Sequence, residues 1–215
     1  MKYTFKKNGF EILKKVVPTE VNYFCSRYLK LKKQVLTTFQ NSKFISPFQK
    51  EFGYFDDAQV PNTFSIYGDP AVEVLLVELL PIMEKTVNFE LIPTYGYARV
   101  YKKGDILNKH KDRYSCEIST TLNLGGDLWP IYINPNEKEG EEKKPSNSKG
   151  IKVDLNPGDM LVYKGNILEH WRNKFEGEEC FQVFLHYNKK TKDSEINLFD
   201  GRPHLGLPFC FNKKE

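Results

Sequence analysis

His110-Lys111-Asp112 puts an imidazole and a carboxylate two residues apart. In an extended segment such residues point to one face, where both can converge on a metal ion. The chain has only four histidines, His110, His170, His186 and His204, so the position of each is informative. His170 lies in the run ILEHWRNK, downstream of the turn Asn156-Pro157-Gly158-Asp159 and the apolar run Met160-Leu161-Val162-Tyr163. In a barrel, a strand further along the chain can lie beside the first, so His170 is the expected third ligand. Two neutral imidazoles and one carboxylate leave open positions on the ion; iron and zinc both accept such donors. Taken alone, His110 and Asp112 also suit a surface turn with a local hydrogen bond, and His170 a satisfied core histidine. His186 reads as structural or supporting, His204 as incidental, and Trp171 as structural, directed away from any ion that His170 holds.

The elements that must position these residues change character along the chain. Residues 9–17 read as a short strand, and Thr19 as the cap of an amphipathic helix running toward Phe39. Residues 41–68 lack clear periodicity and read as loops with short extended pieces. Asp69-Pro70 is a helix start, an acidic cap followed by proline in the first turn. The helix after it is apolar nearly all round, which predicts burial, with a break near Pro81. From residue 93 the period becomes two, predicting strands at 95–101, 116–124, 129–133, 151–154, 160–163, 167–172 and 180–187. The clusters Lys103-Gly104-Asp105, Gly125-Gly126-Asp127, Asn156-Pro157-Gly158 and Glu176-Gly177 separate them, and 134–150 is a long polar insertion. The expected fold is mainly β with supporting helices packed outside a barrel or sandwich of short strands. Its parts are a supporting region at 1–92, a core at 93–190 and an extension at 191–215, all one structural domain.

Composition narrows the function. At 215 residues, against about 150 per domain, one enlarged domain is the better expectation. The 14% aromatic content, with 16 Phe and 12 Tyr, is too much apolar surface for a disordered chain. A net charge of +4, from 32 basic and 28 acidic residues, is dispersed, which disfavours a nucleic-acid partner. The four cysteines show no zinc-like spacing and read as reduced, mostly buried thiols. No signal peptide or membrane span is indicated, so the expected location is the cytoplasm, or the host cytoplasm if the source is viral. Abundant Lys, Asn, Ile and Phe with few Ala suit an AT-rich microbial or viral genome.

The series as a whole resembles the 2-oxoglutarate/Fe(II) oxygenases, in their prolyl 4-hydroxylase-like branch. The matching pieces are Tyr101-Lys102-Lys103-Gly104-Asp105, then His110-Lys111-Asp112-Arg113, then Ile118 to Leu124. Leu155-Asn156-Pro157-Gly158-Asp159, His170-Trp171-Arg172 and the run Gln182 to Tyr187 follow in the family's order and spacing. The resemblance implies a double-stranded β-helix, the jelly-roll or cupin-like core, with Fe(II) held by His110, Asp112 and His170. It also implies 2-oxoglutarate and O2 as cosubstrates, succinate and CO2 as products, and no catalytic side chain beyond the metal ligands.

The distal carboxylate of 2-oxoglutarate needs a cation, since burying that charge unpaired is costly. The branch usually has Lys or Arg about nine to twelve residues after the second histidine, but this chain has Glu179, Cys180, Phe181 and Gln182 there. Arg172, two residues beyond His170 and on the same strand face, is the expected replacement, with Arg99 second. Tyr101 matches a family tyrosine that reaches the cosubstrate, and Tyr97, Thr121, Asn123 and Gln182 could line the same cavity. The branch implies a prolyl residue of a peptide or protein as substrate. Another side chain, a small molecule, or a cupin-like metal-binding module without oxygenase activity are the alternatives; nucleic-acid demethylation and zinc hydrolysis rank lower. The segment 134–150 is either a substrate lid or a surface loop. Oligomeric state is not legible.

Overall fold

The computed structural model describes residues 3–46, 48–140 and 144–212. A one-turn helix α1 (Phe5–Asn8) ends at Gly9, which takes the left-handed conformation, and feeds strand β1 (Phe10–Leu13). Helix α2 (Thr19–Asn41) follows Pro18, which occupies the capping position expected for Thr19. It buries Cys25, Leu29 and Leu36, apolar positions that recur on one helical face. Strand β2 (Phe64–Tyr67) emerges from the stretch that lacked periodicity, too short to give a pattern.

Asp69 caps α3 (Pro70–Glu78) as the sequence predicts, its carboxylate accepting from the Ala71 and Val72 amides. The helix stops before Pro81, whose ring cannot donate to the preceding turn, and α4 (Leu80–Val87) begins a new axis. The even apolar character of this stretch does not bury it on all sides, because Val74, Val77 and Ile82 are exposed. One side packs on the sheet, while Val74 and Val77 on the other stay exposed beside Leu205 and Gly206.

The remaining strands are β3 (Leu91–Lys102), β4 (Leu107–His110), β5 (Ile118–Gly126), β6 (Ile131–Ile133), β7 (Ile151–Val153), β8 (Met160–Lys164), β9 (His170–Arg172) and β10 (Glu179–Lys189). They form two antiparallel sheets, ordered β1-β8-β5-β10-β3-β2 and β4-β9-β6-β7. The first two strands of the chain thus lie at the two edges of the larger sheet.

Strand alternation sorts the larger sheet into two faces. Ala98 and Val100 of β3, Leu122 and Leu124 of β5, Val162 of β8 and Val183 and Leu185 of β10 join the cluster that packs on the helices. Their neighbours turn inward. Tyr101, Cys180 and Phe184 meet Leu107, Trp129 and Phe175 in one interior cluster, and Leu161 and Tyr163 meet Ile131 and Ile133 in another. Tyr97, Arg99, Ser119, Thr121, Asn123, Gln182 and His186 share that inward period. Polar side chains are therefore concentrated between the sheets, where a site can be built.

Candidate metal centre and cosubstrate cavity

His110 ends β4 and His170 opens β9, and the two are register partners in the antiparallel pair. Their rings lie 4.2 Å apart between centroids. Asp112 follows β4, and its backbone N–H donates to the Gly165 carbonyl at 2.9 Å, which turns the carboxylate back toward the histidines. Asp112 Oδ1 stands 3.6 Å from His110 Nε2 and 3.5 Å from His170 Nε2. All three donor atoms lie within 4.8 Å of one another.

The other polar atoms of the three side chains are committed elsewhere. His110 Nδ1 contacts the Asn108 carbonyl at 2.8 Å and His170 Nδ1 the Leu168 carbonyl at 2.9 Å. A carbonyl can only accept, so Nδ1 carries the proton in both rings and Nε2 is left as a lone-pair donor. Asp112 Oδ2 accepts from the Ser119 hydroxyl at 2.7 Å, leaving Oδ1 for an ion. Ser119 Oγ in turn meets His186 Nδ1 at 3.0 Å. Burial pushes the His186 pKa down to about 4, so this ring is neutral near pH 7. Burial alone would raise the Asp112 carboxyl, but the imidazoles of His170 and His110 outweigh it and hold it well below the usual carboxylate range. The donor set therefore suits one divalent cation: two imidazole Nε2 atoms, one carboxylate oxygen and an open side.

Gly165 is required here because a Cβ would collide with Asp112 Oδ2 and Ser119 Oγ. Ser119, Gly165 and Tyr163, whose hydroxyl lies 3.3 Å from His170 Nε2, escaped the sequence reading. Ser119 alone had a usable signal, since it shares the inward period of Thr121 and Asn123.

The open side faces a cavity of about 320 Å³ whose wall includes Tyr97, Arg99, Leu107, Tyr163, Phe184 and His186. Arg99 is committed there: its guanidinium pairs with Asp57 at 2.8 Å and donates to Gln59 Oε1 at 2.8 Å. Tyr97 donates to the other Asp57 oxygen at 2.6 Å. Asp57 and Gln59 belong to a loop with no sequence signal.

Arg172 lies with Thr121 and Gln182 in a buried cluster beside this cavity, outside its wall. It is 1% exposed, donates to Thr121 Oγ1 at 3.1 Å and Gln182 Oε1 at 3.2 Å, and also reaches the Trp129 carbonyl. Its Nε has no partner, and no carboxylate pairs with it among the described residues. Burial accordingly lowers its pKa. Gln182 also donates to Asn123 Oδ1 at 3.2 Å. Tyr101 is buried with its hydroxyl 3.4 Å from Arg99 Nη1. Trp171 turns away from the triad and stacks on Tyr132, as expected.

Solved structures share this architecture. A prolyl-4-hydroxylase from Pseudomonas putida aligns over 87% of this chain and 96% of its own, with a TM-score of 0.56 and 12% identity. HygX from Streptomyces hygroscopicus, solved with nickel, 2-oxoglutarate and hygromycin B, aligns over 86% and 85%, with a TM-score of 0.58 and 16% identity. The non-heme α-ketoglutarate-dependent epimerase SnoN aligns over 87% and 79%, with a TM-score of 0.61 and 9% identity. The fold is that of the 2-oxoglutarate/Fe(II) oxygenases. No protein-family model matches the sequence, and no curated protein matches it. No helix among the described residues is long and apolar enough to cross a membrane.

Proposed function

We propose that the protein is an Fe(II)- and 2-oxoglutarate-dependent dioxygenase that hydroxylates a C–H bond, with a prolyl residue of a peptide or protein as the leading substrate. The observation that carries this reading is the triad itself, with Asp112 Oδ1 facing the lone pairs of His110 and His170 Nε2 at the wall of a cavity. Fe(II) held there would supply the activation of O2 that couples decarboxylation of 2-oxoglutarate to substrate oxidation.

The protein's own part is binding and orientation. The two backbone carbonyls fix the imidazole tautomers, and Ser119 fixes the carboxylate. Arg172 would take the distal carboxylate of 2-oxoglutarate, because it is a buried cation with no paired anion among the described residues. Its place two residues along β9 from His170, about 6.6 Å at strand rise, suits a five-carbon diacid reaching from the ion. Thr121, Gln182 and Asn123 hold the guanidinium, and Tyr101 stands beside them. Arg99 is less suited, since Asp57 already neutralises it.

The substrate side is supported by an aromatic trough of about 510 Å³ that shares Asp57, Tyr95, Tyr97 and Arg113 with the metal cavity. Tyr54, Tyr67 and Phe209 add aromatic wall beside Lys50, Asp56, Ala58 and Pro208, and Tyr67 stacks on Tyr95 at 4.9 Å. Grooves lined by aromatic rings suit proline-rich extended peptides, whose conformation is largely set before binding.

The test is Fe(II)-dependent conversion of 2-oxoglutarate to succinate, with and without proline-containing peptides, beside His110→Ala. Succinate that requires iron and His110 supports the oxygenase, and stimulation by a peptide supports the substrate class. A protein that binds metal but neither binds nor turns over 2-oxoglutarate is instead a cupin-like metal-binding module. The run Glu179, Cys180, Phe181 and Gln182, where the branch usually has Lys or Arg, is the observation favouring that outcome.

A further inference from the structure

β4 and β9 turn His110 and His170 toward the cavity, so the adjacent residues Lys109, Glu169 and Trp171 project from the opposite face. That face is covered by the described arms of 134–150, at 134–140 and 144–150. Lys109 Nζ donates to the carbonyls of Ser146 at 2.6 Å and Ser148 at 2.7 Å. Glu169, 1% exposed, accepts from the Ser146 backbone N–H at 2.9 Å and from the Ser146 hydroxyl. The Glu169 carbonyl accepts from the Asn134 N–H at 2.8 Å. Gly140 has φ 75°, and a Cβ on it would lie 2.6 Å from Glu169 Oε1. Among the described residues Glu169 has no cationic partner. A buried carboxylate beside a metal-ligating histidine is thus held by an amide and a hydroxyl of one distant serine.

The ladder between the two histidine-bearing strands is weak. β4 pairs with β9 only at Leu107↔Arg172 and His110↔His170, with an irregularity between. β9 is three residues long, and β6 meets it at two positions. So short a pairing does little to fix the separation of the two Nε2 atoms, and contacts on the outer face must supply the rest.

We propose that Glu169 is a positioning residue for the metal centre. With Ser146 it braces the outer face of the β4–β9 pair and sets the spacing of His110 and His170, which makes the described arms 134–140 and 144–150 a strap behind the site, not a lid over it. The inference rests on the reading of the triad as a divalent-cation site.

Co(II) titration of the full chain, read by visible absorption and by calorimetry, tests it without requiring turnover. Outer contacts to metal ligands are typically worth about 10–100-fold in affinity. Glu169→Ala should weaken Co(II) binding by about that factor and alter the absorption bands. Glu169→Gln keeps an acceptor for Ser146 and should stay within about threefold of wild type. Ser146→Ala, a milder change for use if Glu169→Ala does not fold, should show a smaller loss in the same direction. Leu76→Ala, in the helix-packed core, should lower the melting temperature but leave Co(II) affinity unchanged. Wild-type affinity and spectrum in both Glu169→Ala and Ser146→Ala overturn the brace alone, as does an equal loss in Leu76→Ala. A wild-type protein that binds no Co(II), like His110→Ala, removes the metal reading and the brace with it.

Discussion

Arg172→Met separates a cosubstrate clamp from a structural arginine, because the two roles predict opposite signs. In the ligand-free protein the guanidinium is fully buried, gains no ion pair from the described residues, and leaves Nε unbonded. Its hydrogen bonds to Thr121, Gln182 and the Trp129 carbonyl each contribute about 1 kcal/mol net. Against their sum stands a desolvation cost of several kcal/mol for an ion taken from water. A methionine of similar reach removes both, so the melting temperature without 2-oxoglutarate should stay level or rise. Binding should respond in the other direction. Leaving the distal carboxylate of 2-oxoglutarate without its cation costs about 3–5 kcal/mol, a loss of affinity of roughly two to three and a half orders of magnitude. The assay is calorimetric titration of 2-oxoglutarate into the Co(II)-loaded protein, paired with thermal denaturation with and without 2-oxoglutarate. Wild type at about a hundred times its Kd should gain about 2.7 kcal/mol, and the variant almost nothing. Retained affinity within threefold, or a fall in stability without ligand, would refute the assignment.

Arg99→Met should do the reverse: 2-oxoglutarate affinity stays within threefold by calorimetry. Stability without ligand drops by about 3 kcal/mol, the low end for breaking a buried pair because Asp57 keeps 16% exposure, as checked by denaturant unfolding. His186 makes stability depend on pH. Its folded pKa of about 4 lies below an unfolded value near 6.5, so the unfolded chain binds more protons in between. Stability is then fully present above pH 6.5 and declines as pH falls toward 4, by up to about 3 kcal/mol. Between pH 6.5 and 4 the unfolding free energy of wild type should fall by up to about 3 kcal/mol relative to that of His186→Gln, which takes up no proton there. Gly165→Ala, which drives a Cβ into Asp112 and Ser119, should abolish Co(II) binding by titration while costing about 1–3 kcal/mol of stability.

Much of the fold was legible because alternation is a strong signal wherever both neighbours of a strand are present. β3, β5, β8 and β10 are central or nearly so in the larger sheet, each with a helix-facing apolar set, and all four fall where period two predicts them. β2 and β4 escaped for physical reasons. Each is four residues long, and Leu107-Asn108-Lys109-His110 carries one apolar residue, since its outer face is spent on Lys109 and its inner end on His110. The triad was legible in its residue types, and the structure brings His110, Asp112 and His170 together. The atoms that decide its chemistry were not. The Asn108 and Leu168 carbonyls are backbone groups that any residue offers, and Gly165 matters only because Asp112 folds back onto it.

The two arginines show where such reading stops. Arg99 and Arg172 both lie on inward strand faces beside tyrosines, and sequence alone ranks them by distance from the metal motif. What separates them is a counterion: Asp57, on a loop without periodicity, reaches Arg99, and no carboxylate among the described residues reaches Arg172. A fold that buries a cation without an anion carries a standing cost, which an arriving dicarboxylate would relieve. The proposed recognition of 2-oxoglutarate would then depend on a charge that no carboxylate among the described residues pairs, held by Thr121 and Gln182.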